Sequence, residues 1–416
     1  MLRRVSAETV TIPKMSFCQS LSRSGAVQMK IGKVAVVIIG GLISILCTSC
    51  TKIGTDDSAK KAYIIISDSL MESDTDVSAG DKDIKVYTLS DSDYKEKDVA
   101  TKSSITAGYQ KIQSKGKVKT YNSGVAIIGD TAYEQYNYVE SASKKYIDTV
   151  NNISKKFEKK VNVYEMIIPT SIAITLPDDK YDKVDSSNQK AAVNKMYKQL
   201  SDRIMPVDIF DELMKHRKEY IYFRTDHHWT ARGAYYAYKV FCETKGIVPN
   251  SIEAYKTDSF GKFKGSFYRE TNDNVHLKVD TLDALYPIDN DNISTEYTEN
   301  SGEVKSGHII EDASSYAENL KYCSFIDGDN PYTVITNKKI KAGSSCMVLK
   351  ESFGNAFVPF LADHYSKIYV IDYRYWQGNI AKLAKKKNVD DVIFCNNISM
   401  TRNAYLIGKL MQLVED

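Results

Sequence analysis

A chain of 416 residues, 43% hydrophobic and 26% charged, with 29 Tyr and 13 Phe, can bury a sizeable core, which excludes disorder throughout. Its net charge of +3 is uneven: residues 1–49 hold six basic residues against Glu8, so the remainder carries −2. A near-neutral body lacks the electrostatic footprint of a nucleic-acid binder, and no nucleic-acid partner is expected.

Residues 1–28 look unlike any standard signal, and Met29 reads as the true start. Met29-Lys30-Ile31-Gly32-Lys33 is a short basic stretch, Val34 to Leu46 an uncharged apolar run, and Cys47-Thr48-Ser49-Cys50 a small-residue close. This is the order of a secretory signal, spanning 29–50, and the run is shorter than the roughly 20 residues of a membrane span. A cysteine straight after small residues resembles a bacterial lipoprotein signal, with Cys50 lipidated at the mature N-terminus. Cys47 stands where an aliphatic residue is usual, and an uncleaved anchor helix is the competing reading. Either way the expected location is extracytoplasmic, anchored to the cell membrane. Residues 51–120 read as a polar tether followed by a peripheral segment.

From about residue 121 short apolar runs alternate with helical patterns. Val125–Ile128, Val163–Ile168, Tyr220–Phe223, Cys346–Leu349, Ile368–Asp372 and Val392–Cys395 read as strands; 138–157, 186–203, 230–245, 354–364, 378–388 and 402–414 read as helices. Thr230 and Gly246 suit the two caps of the 230–245 helix. Residues 247–335 break the rhythm and read as an irregular or β-rich insertion. Such alternation predicts an α/β domain over 121–416, a mostly parallel sheet in three layers, with ligands at the carboxyl ends of strands. The exported part has no C-x-x-C pair, so neither a zinc site nor a disulfide framework is expected; Cys346 and Cys395 read as core.

Two segments stand out chemically. Thr225-Asp226-His227-His228-Trp229-Thr230 follows an apolar run and precedes a helix. In an extended segment residues i and i+2 share a side, so Asp226 and His228 can address one site, the carboxylate orienting the imidazole, while His227 faces elsewhere. The competing readings are a helix cap with surface histidines, or part of a metal site, for which no further His or Cys cluster supplies ligands. Lys350-Glu351-Ser352-Phe353-Gly354-Asn355 places Ser352 between a buried strand and a helix N-terminus. A lone Ser there is ordinarily a cap; a base at another strand end would make it a nucleophile. The many tyrosines, among them Tyr235, Tyr236, Tyr238, Tyr268, Tyr365, Tyr373 and Tyr375, suit sugar rings but read equally well as core.

Asp-His-His-Trp between threonines resembles the signature of the DHHW family of exported bacterial proteins. That family is similar to the alginate O-acetyltransferase proteins, whose SGNH-hydrolase-like domain has Asp-x-His before Ser. Met166–Thr170, Gly265–Tyr268, Phe325–Asp329, Lys350–Asn355, Val358–Leu361 and Ile371–Tyr375 resemble further family blocks in the same order. Glu351 departs from the Asp usual before the serine. The resemblance implies Ser352 as nucleophile, His228 as general base and Asp226 as its orienter. It also implies Asn355 and the Ser352 backbone N–H as oxyanion donors, and Arg374 as either a site support or a structural ion pair. No metal or cofactor is called for. The expected activity is O-acetyl transfer to a cell-surface or secreted polysaccharide, the acetyl group arriving from a membrane-bound O-acyltransferase partner. An acetylesterase of the same fold, or a non-catalytic glycan-binding scaffold, are the alternatives.

Overall fold

In a computed structural model, residues 106, 108–121, 123–271, 276–341 and 343–415 are described in full, and a few short strands before residue 90 by their backbone alone. The chain forms two compact units, Met1–Thr88 and Leu89–Asp416. Cys50 and the side chains of the signal-type stretch lie outside the described residues. Among the described residues no helix is long and apolar enough to cross a membrane.

The second unit is a mixed α/β fold with several sheets. Its strands are β1 (Val118–Thr120), β2 (Val125–Ile128), β3 (Thr131–Glu134), β4 (Asn162–Ile168), β5 (Ile204–Pro206), β6 (Lys256–Phe263) and β7 (Asp280–Tyr286). They continue with β8 (Ile293–Thr298), β9 (Val304–Gly307), β10 (Tyr332–Asn337), β11 (Ser345–Lys350), β12 (Lys367–Asp372) and β13 (Asp391–Asn397). Among the helices, numbered α1 to α9 in chain order, the short α2 (Ser171–Ile174), α3 (Gln189–Tyr197), α4 (Phe210–Lys215) and α6 (Ser266–Glu270) lie between those described below. The main sheet runs β5-β4-β13-β11-β12-β10-β8-β9. Pairings from β5 to β12 are parallel; those of β12, β10, β8 and β9 are antiparallel. β1–β3 form a separate antiparallel sheet and β6–β7 a two-stranded one.

Side-chain alternation divides the core in two. Tyr164, Met166 and Ile168 of β4, with Cys346 and Val348 of β11, join the cluster containing α5 (Ala231–Lys245) and α7 (Gly354–Leu361). Val163 and Ile167, with Met347 and Leu349, face the opposite cluster, which holds α1 (Glu140–Ser154), α8 (Ile380–Lys387) and α9 (Ala404–Gln412). Successive residues of a strand point to opposite faces, so a run that is apolar at every position must be covered on both. Pro169 follows β4, and having no N–H it cannot extend the ladder.

Two expectations are corrected. Tyr220–Phe223 forms no strand of a sheet: Tyr222 makes one isolated antiparallel bridge to Trp229, and Phe223 N donates to His228 O at 3.2 Å. The local doubling-back satisfies this backbone, so the segment joins no ladder. The 247–335 region is also no single insertion. β6 and β7 stand apart, but β8 and β9 extend the main sheet through β10. Strands that pair at an edge can be polar on their outer face, which hides them from a search for apolar runs. The buried tyrosines Tyr235, Tyr236, Tyr238, Tyr365 and Tyr373 are core and offer no face to a sugar.

Candidate active site

β11 is buried at every position, and the chain leaves it through Glu351 and Ser352 into α7. Ser352 lies two residues before the first residue of that helix. The other half of the site comes from the turn before α5. Thr230 caps α5, its hydroxyl accepting from Gly233 N at 3.3 Å and donating to Tyr220 O at 2.8 Å. At the other end of the turn, the Asp280 carboxylate accepts from Thr225 N (2.7 Å), Thr225 Oγ1 (2.6 Å), Arg224 N (3.0 Å) and Tyr220 Oη (2.5 Å). One buried carboxylate with four donors fixes a short loop that has no sheet to hold it.

Within that turn the pieces converge. Asp226 Oδ1 accepts from His228 N at 2.9 Å and sits 2.6 Å from His228 Nδ1; its Oδ2 accepts from Ser266 N at 2.8 Å. His228 Nε2 lies 2.7 Å from Ser352 Oγ, across 124 positions of sequence. Trp229, fully buried, donates from Nε1 to Phe353 O at 3.0 Å, tying the turn to the residue after the serine. Burial alone would push the Asp226 carboxyl up, but His227 and His228, with hydrogen bonds from His228 and Ser266 N, hold it well below the usual carboxylate range. An ionised Asp226 fixes the proton on Nδ1, leaving Nε2 free to accept from Ser352.

His227 does not face elsewhere. Its ring lies 3.9 Å from that of His228, centroid to centroid, and its Nδ1 is 2.7 Å from Ser266 Oγ. The turn is too tight for strand alternation to apply. Burial, then the neighbouring His228 charge, push the His227 pKa down. Asp226, His227 and His228 also bring ligand-type atoms within 4.8 Å of one another. Both nitrogens of His228 are already engaged, with Asp226 and Ser352, so a cation there would displace the arrangement just described.

Under Ser352 lies a charged network. Arg374 grips Asp372 with two bonds, 2.8 and 2.6 Å, and reaches Asp329 Oδ1 at 2.9 Å. Lys350, fully buried, contacts Asp372 at 2.8 Å and Asp329 at 3.3 Å. Asn355 Nδ2 donates to Asp329 Oδ1 at 2.9 Å, while its Oδ1 is buried without a partner among the described residues. Arg374 therefore sits in a balanced set of two cations and two carboxylates. Glu351 uses its extra methylene to reach Asn397 N on β13 at 2.9 Å, and stands 3.4 Å from Ser352 Oγ.

Sequence reasoning missed Tyr322, Asp280 and Asp329. The Tyr322 ring stacks on His228 at 4.0 Å and 13°, and its hydroxyl donates to Ser352 O at 3.2 Å. All three lie in the irregular 247–335 stretch, where no periodicity marks a position; the block Phe325–Asp329 was the one available signal.

The family model described as DHHW protein matches residues 41–371. Among solved structures, a DHHW family protein from Eubacterium siraeum is 27% identical, with a TM-score of 0.65, covering 73% of this chain and 100% of that one. Bacillus cereus PatB1 with a sulfonyl adduct is 18% identical, TM-score 0.57, covering 72% and 99%; that likeness is one of fold. The O-acetyltransferase domain of Pseudomonas putida AlgJ scores 0.35 at 12% identity, over 71% and 99%, and at that score the likeness fixes no detail. Among curated proteins no match is found.

Proposed function

The chain belongs to the DHHW family, and from that premise we propose that it is an exported O-acyltransferase, acetylating a cell-surface or secreted polysaccharide through Ser352, His228 and Asp226 on an SGNH-hydrolase-like fold. The observation that carries this reading is the continuous line Asp226 Oδ1–His228 Nδ1 (2.6 Å) and His228 Nε2–Ser352 Oγ (2.7 Å). Both separations lie within hydrogen-bond reach, the geometry a nucleophile and its base require.

In this mechanism His228 Nε2 takes the Ser352 hydroxyl proton as Oγ attacks the acyl carbonyl. Ser352 N–H and the Asn355 amide are the candidate donors to the oxyanion. The tetrahedral intermediate expels the donor's leaving group, which takes the proton from His228. A sugar hydroxyl then gives its proton to His228 and attacks the acyl carbon; the carbon–Oγ bond breaks and Ser352 recovers the proton. Asp226 stays ionised throughout and stabilises the imidazolium. An exported enzyme does not meet cytosolic acyl thioesters, so the acetyl donor would be a membrane-bound O-acyltransferase partner, with Cys50 lipidation holding the chain beside it.

PatB1, which shares the fold, is known with a sulfonyl adduct, and this makes a sulfonyl fluoride a suitable probe here. The expected results are a single adduct at Ser352, a burst of p-nitrophenol from p-nitrophenyl acetate, and loss of both in Ser352→Ala. His228→Ala should lower turnover by orders of magnitude, with the double variant scarcely worse than either single one. Full esterase activity in folded Ser352→Ala protein would refute the assignment. Adding an oligosaccharide acceptor separates transfer from hydrolysis: a transferase moves acetyl to sugar faster than to water.

A further inference from the structure

The polar groups round Ser352 differ sharply in access. The side chains of His228 and Asp226 are 8% and 6% exposed, and Asn355 is 1% exposed. Asp329, by contrast, keeps 34% of its side chain in solvent. Its two oxygens are used unequally. Oδ1 takes Asn355 Nδ2 (2.9 Å), Arg374 (2.9 Å) and Lys350 (3.3 Å); among the described residues Oδ2 has no partner. Burial would raise its pKa, but Arg374 and Lys350, with the bond from Asn355, hold it well below the usual range, so the outer oxygen is an anionic acceptor at every physiological pH.

Asp329 is also placed at some cost. It follows three consecutive residues at positive φ, Ile326 (49°), Asp327 (56°) and Gly328 (80°). A β-branched residue in the left-handed region is a true outlier, and such strain persists where the surroundings enforce it, often at functional sites. Here Ile326 N donates to Ile309 O at 3.0 Å and the Asp327 carboxylate accepts from His308 N at 2.8 Å. The same segment supplies Tyr322, which covers His228. Asn355, the inner partner of Asp329, is one turn beyond the nucleophile, its N–H donating to Ser352 O at 3.1 Å.

We infer that Asp329 is the acceptor-binding residue of this site: Oδ2 accepts a hydrogen bond from a hydroxyl adjacent to the one that attacks the acyl-Ser352 ester, so the site selects vicinally hydroxylated acceptors. This rests on the reading of Ser352 as an acylated nucleophile. A carboxylate with one oxygen clamped by two cations and an amide cannot turn away, and its remaining oxygen can only accept. A mono-alcohol can supply the attacking hydroxyl but nothing for Oδ2.

The test uses wild-type protein acylated by p-nitrophenyl acetate, with cis-1,2-cyclohexanediol and cyclohexanol as competing acceptors. The measured quantity is the ratio of acetyl transferred to each alcohol over acetyl lost to water, taken within each variant so that differences in acylation rate cancel. The diol should be favoured by about tenfold, the scale of one hydrogen bond to a charged group. In Asp329→Asn the amide oxygen can keep the inner donors while an N–H₂ replaces the outer acceptor, and the ratio should fall to near parity. Equal partitioning in wild type overturns the inference, as does water as sole acceptor, and either result stands even if the variant does not fold. An Asp329→Asn protein that retains the diol preference also overturns it. Absence of any p-nitrophenol burst is a different failure: it removes the acyl-enzyme itself and with it the proposed function.

Discussion

Asp226 reaches His228 twice, through Nδ1 and through the backbone N–H, and reaches Ser266 N with its other oxygen. Replacing it by Asn would present an N–H₂ or a neutral oxygen to Nδ1. In the first case the ring proton moves to Nε2 and the imidazole can no longer accept from Ser352. We expect Asp226→Asn to stay folded and to lose up to ~10⁴-fold in esterase turnover, as in serine-protease triads; a loss under tenfold would show that the imidazole needs no orienter. His227→Ala should cost far less, because the His227 contact is with Ser266 and with the face of His228 rather than with Ser352.

The turn before α5 and the junction after β11 belong to separate elements, and small groups let them meet. A Cβ on Gly265 would lie 2.1 Å from Asp226 Cβ and 2.3 Å from its Oδ2, so Gly265→Ala must displace the carboxylate or its own short helix. Overpacking of this kind costs about 1–3 kcal/mol, and a displacement near 1 Å at a catalytic group costs about 10²-fold. A lowered melting temperature with turnover down by that order is expected; unaltered turnover would mean that the carboxylate has room the geometry denies it. Trp229, Thr225 and Thr230 explain why the hexapeptide was legible: each tethers the turn by a hydrogen bond, so the functional pattern is contiguous in sequence. Ser352 was legible because a fully apolar run ends just before it. Asp280 and Tyr322 were not, because they act across 55 and 30 positions, on Thr225 and Ser352, from segments whose polar composition resembles any surface loop. The strand assigned to Tyr220–Phe223 failed for a related reason: apolar character reports burial, and here the burial comes from packing against α5 and the neighbouring aromatic rings rather than from a sheet.

At the scale of the whole unit, the parallel half of the sheet holds an ionisable side chain, Glu165, that among the described residues no cation answers. Glu165, at the middle of β4, is fully buried; Oε1 accepts from Tyr146 Oη at 2.5 Å, and among the described residues Oε2 has no partner. Tyr146 comes from α1 and also accepts from Asn396 Nδ2 of β13 at 3.0 Å, so the group joins a helix to two strands. Tyr146, Tyr197, Tyr373 and Cys395 are titratable groups that feel its charge. Burial pushes the Glu165 pKa up to about 8, against the lowering effect of the Tyr146 hydrogen bond. In the unfolded chain the carboxyl titrates in its ordinary range, near 4.5. Between these values the folded state holds one more proton than the unfolded state, so stability falls as pH rises, by up to about 1.4 kcal/mol per unit. The contribution is intact below about pH 4.5 and spent above about pH 8. Other raised carboxyls, Asp327 and Asp363 at about 6, act in the same direction, so the difference between variants is the informative quantity. Glu165→Gln keeps an acceptor for Tyr146 and cannot ionise. Thermal melts should place it close to wild type at pH 5 and increasingly above wild type towards pH 8.5. Melting curves that run parallel across that range would show that Glu165 ionises in the folded protein no later than in the unfolded one, and that water or a cation reaches the middle of the sheet.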